Sequence, residues 1–135
     1  MAQSILVIDD EKAIRKTLGE ILSFEGFTVD EAADGAEGAK KIRENNYDCI
    51  LCDIKMPKMD GYTFVRRLKK DPETKAIPVI VLTSYEPMKD MFQMEGINDY
   101  FLKSVQESFG VIIVFVNQII LSDWKKAKMK KMSTC

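Results

Sequence analysis

Apolar positions along the chain alternate between two rhythms. Ser4-Ile-Leu-Val-Ile8 is a continuous apolar run of strand length, the pattern of a strand buried on both faces of a parallel sheet, and it stops at Asp9-Asp10-Glu11. From 12 to 25 the period lengthens: Ile14, Leu18, Ile21 and Leu22 fall at helical spacing, and Gly26 is a suitable C-terminal cap. A second strand is predicted over 27–31. Asp34 then caps a helix over 35–44 with Ala36, Ala39 and Ile42 facing inward. Cys49-Ile-Leu-Cys52 is a third apolar run without helical period. It ends in Asp53, and Pro57 with Asp60-Gly61 forces a loop before the next helix, marked by Tyr62, Phe64, Val65 and Leu68 and closed by Lys69-Lys70. Pro78-Val-Ile-Val-Leu82 reads as a fourth strand with Thr83-Ser84 at its end. A fourth helix over 87–95 stops at Gly96, a fifth strand covers 99–103, and a last helix runs from 105 to 124 into a lysine-rich tail.

Strand and helix thus alternate five times, which predicts an α/β fold: a doubly wound five-stranded parallel sheet with right-handed crossovers and five helices on its two faces. In such a sheet ligands bind beyond the carboxyl ends of the strands. Asp9 and Asp10, Asp53, Thr83 and Lys103 each fall at or just past the end of a different strand. Taken singly each has an ordinary explanation: Asp53 as a turn former, Asp9-Asp10 as a helix cap complementing the dipole, Thr83 as a strand end, Lys103 as a solvated lysine. Four separate placements at one edge are hard to assign to turn preference.

Composition narrows the chemistry. With 135 residues, 46% of them hydrophobic, the chain can bury one core, and we expect a domain over 1–124 followed by the tail 125–135. A net charge of -1 gives no general electrostatic reason to bind nucleic acid or an anionic membrane. The first residues lack the basic-then-apolar pattern of a signal peptide, and a cytoplasmic location is expected. Cys49 and Cys52, on a strand, lie about 10 Å apart on opposite faces, too far for a disulfide, and read as small core hydrophobes. There is no histidine, which excludes histidine-ligated metals, histidine-dependent triads and a phosphohistidine carrier role. Three clustered carboxylates stay ionised together only around a cation, and a hard divalent ion such as Mg²⁺ fits them.

The set Asp9-Asp10-Glu11, Asp53 with Met56-Pro57 and Asp60-Gly61, Thr83-Ser84, and Asp99-Tyr100-Phe101-Leu102-Lys103 resembles the receiver domain of two-component response regulators, over about residues 3 to 122. The resemblance implies a flavodoxin-like, CheY-like fold with strand order 2-1-3-4-5. It implies that Asp53 takes a phosphoryl group from a partner histidine kinase or phosphotransfer protein. Asp10, Asp53 and the backbone carbonyl of Lys55 would ligate Mg²⁺ directly, and Asp9 through water. Lys103 and the metal would neutralise charge on the transferring group, and Thr83 would hydrogen-bond it. Thr83 and Tyr100 would form the switch that remodels the face of helix four, strand five and helix five for a downstream protein. The expected protein is a phosphorylated switch, not an enzyme beyond slow loss of its own phosphoryl group.

Several features depart from the family's pattern. Ser104 follows Lys103 where most receivers have a proline with a cis peptide, a bond that costs about 3 kcal/mol before any other residue. The interval from Thr83 to Lys103 is short for the family. Lys55 and Tyr85, beside the acceptor region, suggest slow hydrolysis. Apolar residues from Val111 to Leu121 wrap every side of the last helix, so a homodimer or partner interface stands beside the simpler reading of a deeply sunk helix. Met88, Met91 and Met94 form a stripe that suits core filling or an adaptable docking face. Three alternatives stay open: the receiver part of a longer regulator, a degenerate receiver that binds without phosphorylation, and an acidic Mg²⁺ phosphatase. The last needs a second aspartate after the nucleophile, where Ile54 and Lys55 stand.

Overall fold

A computed structural model describes residues 3–54, 60–83, 100–102 and 116–117. Its elements follow in the order β1 (Ser4–Ile8), α1 (Lys12–Phe24), β2 (Thr28–Ala32), α2 (Gly35–Glu44), β3 (Cys49–Ile54), α3 (Asp60–Lys70), β4 (Val79–Thr83) and β5 (Tyr100–Leu102). The strands form one parallel sheet in the order β2-β1-β3-β4-β5. That is the expected doubly wound order, in which the chain leaves the centre at β1 and returns to it at β3.

Each central strand is apolar on both sides because a helical layer covers each side. On one face Leu6, Ile8, Ile50, Cys52 and Val81 meet Phe64, Val65 and Leu68 of α3, with Ala39 and Ile42 of α2 packed against them. On the other, Ile5, Val7, Cys49, Leu51 and Ile80 meet Leu18 and Leu22 of α1. Val116, from the segment expected to form the last helix, is helical and buried in this second layer. Cys49 and Cys52 therefore enter opposite cores, as their spacing requires, and neither forms a disulfide.

The helix ends are set by local chemistry. Gly26 adopts φ 101°, and the bonds from Gly26 N to Ser23 O (3.0 Å) and Phe27 N to Leu22 O (3.1 Å) close α1 in a Schellman turn. Asp34 Oδ1 accepts from Glu37 N at 2.8 Å, and Glu37 Oε2 accepts from Ala33 N at 3.0 Å, a reciprocal start for α2. At the far end of α3, Thr74 Oγ1 donates to Leu68 O and Lys69 Nζ donates to Ile77 O, tying the turn into β4.

Four expectations need correction. Asp60 and Gly61, expected in the loop before the third helix, are instead the first two residues of α3. Ala36 is exposed, and Gly38 joins Ala39 and Ile42 on the inner face of α2, its missing Cβ standing 2.7 Å from Ile8 Cδ1. The absent side chain is what lets the helix approach, a signal that a search for apolar residues overlooks. β2 is shifted by one residue to Thr28–Ala32, because Phe27 closes the Schellman turn and Thr28 N starts the ladder on Gln3 O. β4 begins at Val79, since Pro78 has no N–H to give a ladder and serves as an acceptor for Ile50 N. The expected helices over 87–95 and 105–124, apart from Val116 and Asn117, lie outside the described residues, as does the tail.

Candidate functional site

The sheet register gathers the candidate residues. Ile8 pairs with Cys52, so Asp9 and Asp53 each follow one step further along adjacent parallel strands. Asp53 lies within β3 opposite Leu82, and Thr83, the last residue of β4, is opposite Ile54 on one side and Leu102 on the other. Asp9, Asp53 and Thr83 therefore stand at one edge of the sheet, with Tyr100 in β5 opposite Val81. Lys103, Lys55, Ser104 and Tyr85 lie outside the described residues, and so do the Met88, Met91 and Met94 stripe and, apart from Val116 and Asn117, the apolar last helix.

The two acids after β1 occupy contrasting settings. Asp9 is only 1% exposed, and every polar part of its backbone is held: its N–H donates to Ala32 O at 3.1 Å and its carbonyl accepts from Arg15 Nη1 at 2.7 Å. Its carboxylate accepts from Glu11 N through Oδ1 at 2.9 Å, shaping the entry to α1. That bond shapes the turn before α1 but does not cap the helix: Glu11 occupies the N-cap position and makes no side-chain cap bond. Asp10, by contrast, is exposed at the same edge.

Asp9 and Asp10 carry carboxylates, the donor type a hard divalent cation takes, at the edge where the backbone of Asp53 runs beside them. Among the described residues no group of three or more His, Cys, Asp or Glu side chains that could hold a metal ion is present, and the neighbouring thiol of Cys52 is sequestered in the core. A groove of about 620 Å³ between α2 and α3 is elsewhere, lined by Ala39, Phe64, Arg67 and Asp71 among others and by neither Asp9 nor Asp10. Size alone would direct attention away from the acidic edge.

Sequence reasoning missed Arg15. It sits in the early part of α1, where the helix dipole disfavours a cation, so its presence there was a signal that some acceptor nearby compensates. Besides Asp9 O, it binds Glu31 through Nε to Oε1 at 3.1 Å. At the opposite end of the sheet, Tyr47 donates its hydroxyl to Asp30 Oδ2 at 2.6 Å. Burial, and secondarily that bond and the charge of Asp30, push the Tyr47 phenol far above its ordinary value.

An open parallel sheet with acids at its carboxyl edge defines a class of α/β proteins that bind phosphoryl groups or nucleotides there. Comparison with known proteins makes this specific. The model of the response regulator receiver domain matches residues 5–113. The gliding motility regulatory protein of Myxococcus xanthus is 43% identical over 86 residues, 64% of this chain and 11% of that protein. The transcriptional regulatory protein SrrA of Staphylococcus aureus is 36% identical over 105 residues, 76% of this chain and 42% of that protein. Among solved structures, the response regulator protein TrrA of Thermotoga maritima, in complex with Mg²⁺-BeF, superposes with a TM-score of 0.74 at 32% identity, covering 87% of this chain and 98% of that one. The chain belongs to the response regulator receiver family, the phospho-accepting switch domains of two-component signalling. It spans less than half the length of these two curated relatives.

Proposed function

We propose that Asp53 is the phosphoacceptor and that Asp9, Asp10, Asp53 and the Lys55 carbonyl form the Mg²⁺ site. The observation that carries this reading is the register at the sheet edge: Asp9 and Asp53 follow the paired residues Ile8 and Cys52 on neighbouring strands. Carboxylates brought to that spacing repel one another, and a divalent cation relieves the repulsion. When bound, Mg²⁺ supplies positive charge to the oxygens of the incoming phosphoryl group.

In the step itself an Asp53 carboxylate oxygen forms a bond to phosphorus while the bond from phosphorus to the donor's imidazole nitrogen breaks. The electron pair leaves on that nitrogen, within a histidine kinase or phosphotransfer protein. Lys103 offsets charge on the transferring group, and Thr83 donates a hydrogen bond to it. Thr83 and Tyr100 then report occupancy to the β4–β5 side of the domain, where a downstream protein binds. Lys55 and Tyr85 slow the return hydrolysis, so the chain acts as a switch with its own slow reset rather than as an enzyme on a separate substrate.

The receiver occupies 1–124 and the lysine-rich tail 125–135, in the cytoplasm. No helix among the described residues is long and apolar enough to cross a membrane. The apolar last helix either lies sunk against the sheet, where Val116 is buried, or serves a homodimer or a partner, and a net charge of -1 gives no general electrostatic reason to bind nucleic acid. The test is beryllium fluoride, a phosphoryl mimic, added with Mg²⁺: it should raise the melting temperature of the native chain and leave Asp53→Asn unchanged. Equal shifts in both proteins would place the acceptor elsewhere.

A further inference from the structure

We infer that Arg15 and Glu31 form a clamp that positions the acid pair for the cation, a role that rests on the proposed Mg²⁺ site. Arg15 spends one edge of its guanidinium on each of two strands. Nη1 holds the carbonyl of Asp9 at 2.7 Å, just past the end of β1, and Nε holds Glu31 Oε1 at 3.1 Å on β2. Glu31 is the register partner of Val7, and Ala32, the next residue, accepts the N–H of Asp9 at 3.1 Å. Asp9 is therefore fixed from the β2 side twice, once directly through its N–H and once through Arg15. Its carboxylate is held by Glu11 N. The consequence falls on Asp10: with Asp9 immobilised, the path of the chain that carries the exposed Asp10 carboxylate is set before any ligand arrives.

The guanidinium is well suited to this task. Its side chain is 15% exposed and that of Glu31 36%, so the pair is partly shielded rather than a solvent-screened surface bridge. A lysine has one compact ammonium and cannot span the two acceptors with the same planar fork. Gly19 lies against the pair, an added Cβ there meeting Glu31 Oε2 at 3.7 Å, so α1 lies close against the β2 end of the clamp.

The sign of the effect on Mg²⁺ needs separating from charge. Removing Arg15 alone deletes a cation near the acids, which favours Mg²⁺, while releasing Asp9, which disfavours it. The double variant Arg15→Met with Glu31→Gln removes one positive and one negative charge and leaves the net charge unchanged, so the loss of positioning dominates the result. Outer partners of metal ligands typically contribute 10-fold or more to metal affinity.

The experiment is Mg²⁺ titration by calorimetry of the native chain and the double variant, each shown to be folded by circular dichroism, with phosphorylation by acetyl phosphate followed against Mg²⁺ concentration. The clamp predicts Mg²⁺ binding about tenfold weaker in the double variant, with the maximal phosphorylation rate at saturating Mg²⁺ close to native. Arg15→Lys, which keeps the charge and one bond, should fall between them and serves if the double variant does not fold. Native-like Mg²⁺ affinity in the double variant, or in Arg15→Lys if only that folds, overturns the clamp while leaving the metal site standing. Absence of Mg²⁺ binding by the native chain overturns the site and the clamp together.

Discussion

Ile8 and Cys52 are register partners across β1 and β3, so Asp9, just past the end of β1, and Asp53, within β3, stand at the same level. A slip of one residue in either strand would exchange the faces of β1 or β3 and bury the wrong side chains, so the two cores that flank the sheet also fix the spacing of the acids. Function at the edge is thereby tied to packing in the interior.

The first prediction concerns metal. Mg²⁺ at 100 times its dissociation constant should stabilise the native chain by about 2.7 kcal/mol if it binds only the folded state. A chelator should reverse the gain, and Asp10→Asn should abolish most of it. Thermal melts with and without Mg²⁺ check this, and an undiminished gain in Asp10→Asn would remove that residue from the site.

A second prediction uses the close approach of α2 to β1 at Gly38. Gly38→Ala gains about 1 kcal/mol of helix propensity, but its Cβ would meet Ile8 Cδ1 at 2.7 Å and Phe64 Cζ at 3.4 Å. Overpacking of this kind costs about 1 to 3 kcal/mol, so the net change should be destabilising. Ile8→Val deletes the clashing Cδ1, and in a double-mutant cycle by urea unfolding the pair should be less unstable than the sum of the single changes. Strict additivity would show that the helix moves away instead.

Tyr47 gives a prediction with pH. Its phenol is held above the ordinary value in the fold by burial and by its bond to Asp30, whereas in the unfolded chain it titrates near its ordinary value of about 10. Above that pH the unfolded state releases a proton that the native state keeps, so stability falls as pH rises. Tyr47→Phe should cost about 1 to 2 kcal/mol at neutral pH through the lost bond to a charged, half-buried partner. It should also show a shallower loss of stability between about pH 10 and 11. Parallel pH curves for the two proteins would contradict this assignment.

Much of this architecture was legible in the sequence because the central strands are buried on both faces. Such strands must be continuously apolar, and their ends are marked by the first charge, as at Ile8-Asp9. Glycine and aspartate signalled the helix boundaries at Gly26 and Asp34 for stereochemical reasons that do not depend on tertiary context. What was not legible depended on contacts between elements distant in sequence. Gly38 as a packing residue of α2 appears only once α2 lies on β1, and Arg15 as a bridge appears only once β2 is placed beside β1. Tyr47 belongs to the same group, since its partner Asp30 sits on another strand. Asp9 has a structural part that the sequence hinted at, its carboxylate accepting from Glu11 N at the entry to α1.

The central claim is that Asp53 accepts a phosphoryl group, and incubation with Mg²⁺ and acetyl phosphate followed by intact mass tests it most directly. The native chain should gain a single phosphoryl group and Asp53→Asn none, with the gain lost when Mg²⁺ is chelated. A folded native chain that gains nothing, or an Asp53→Asn protein that gains as much as the native one, would contradict the account.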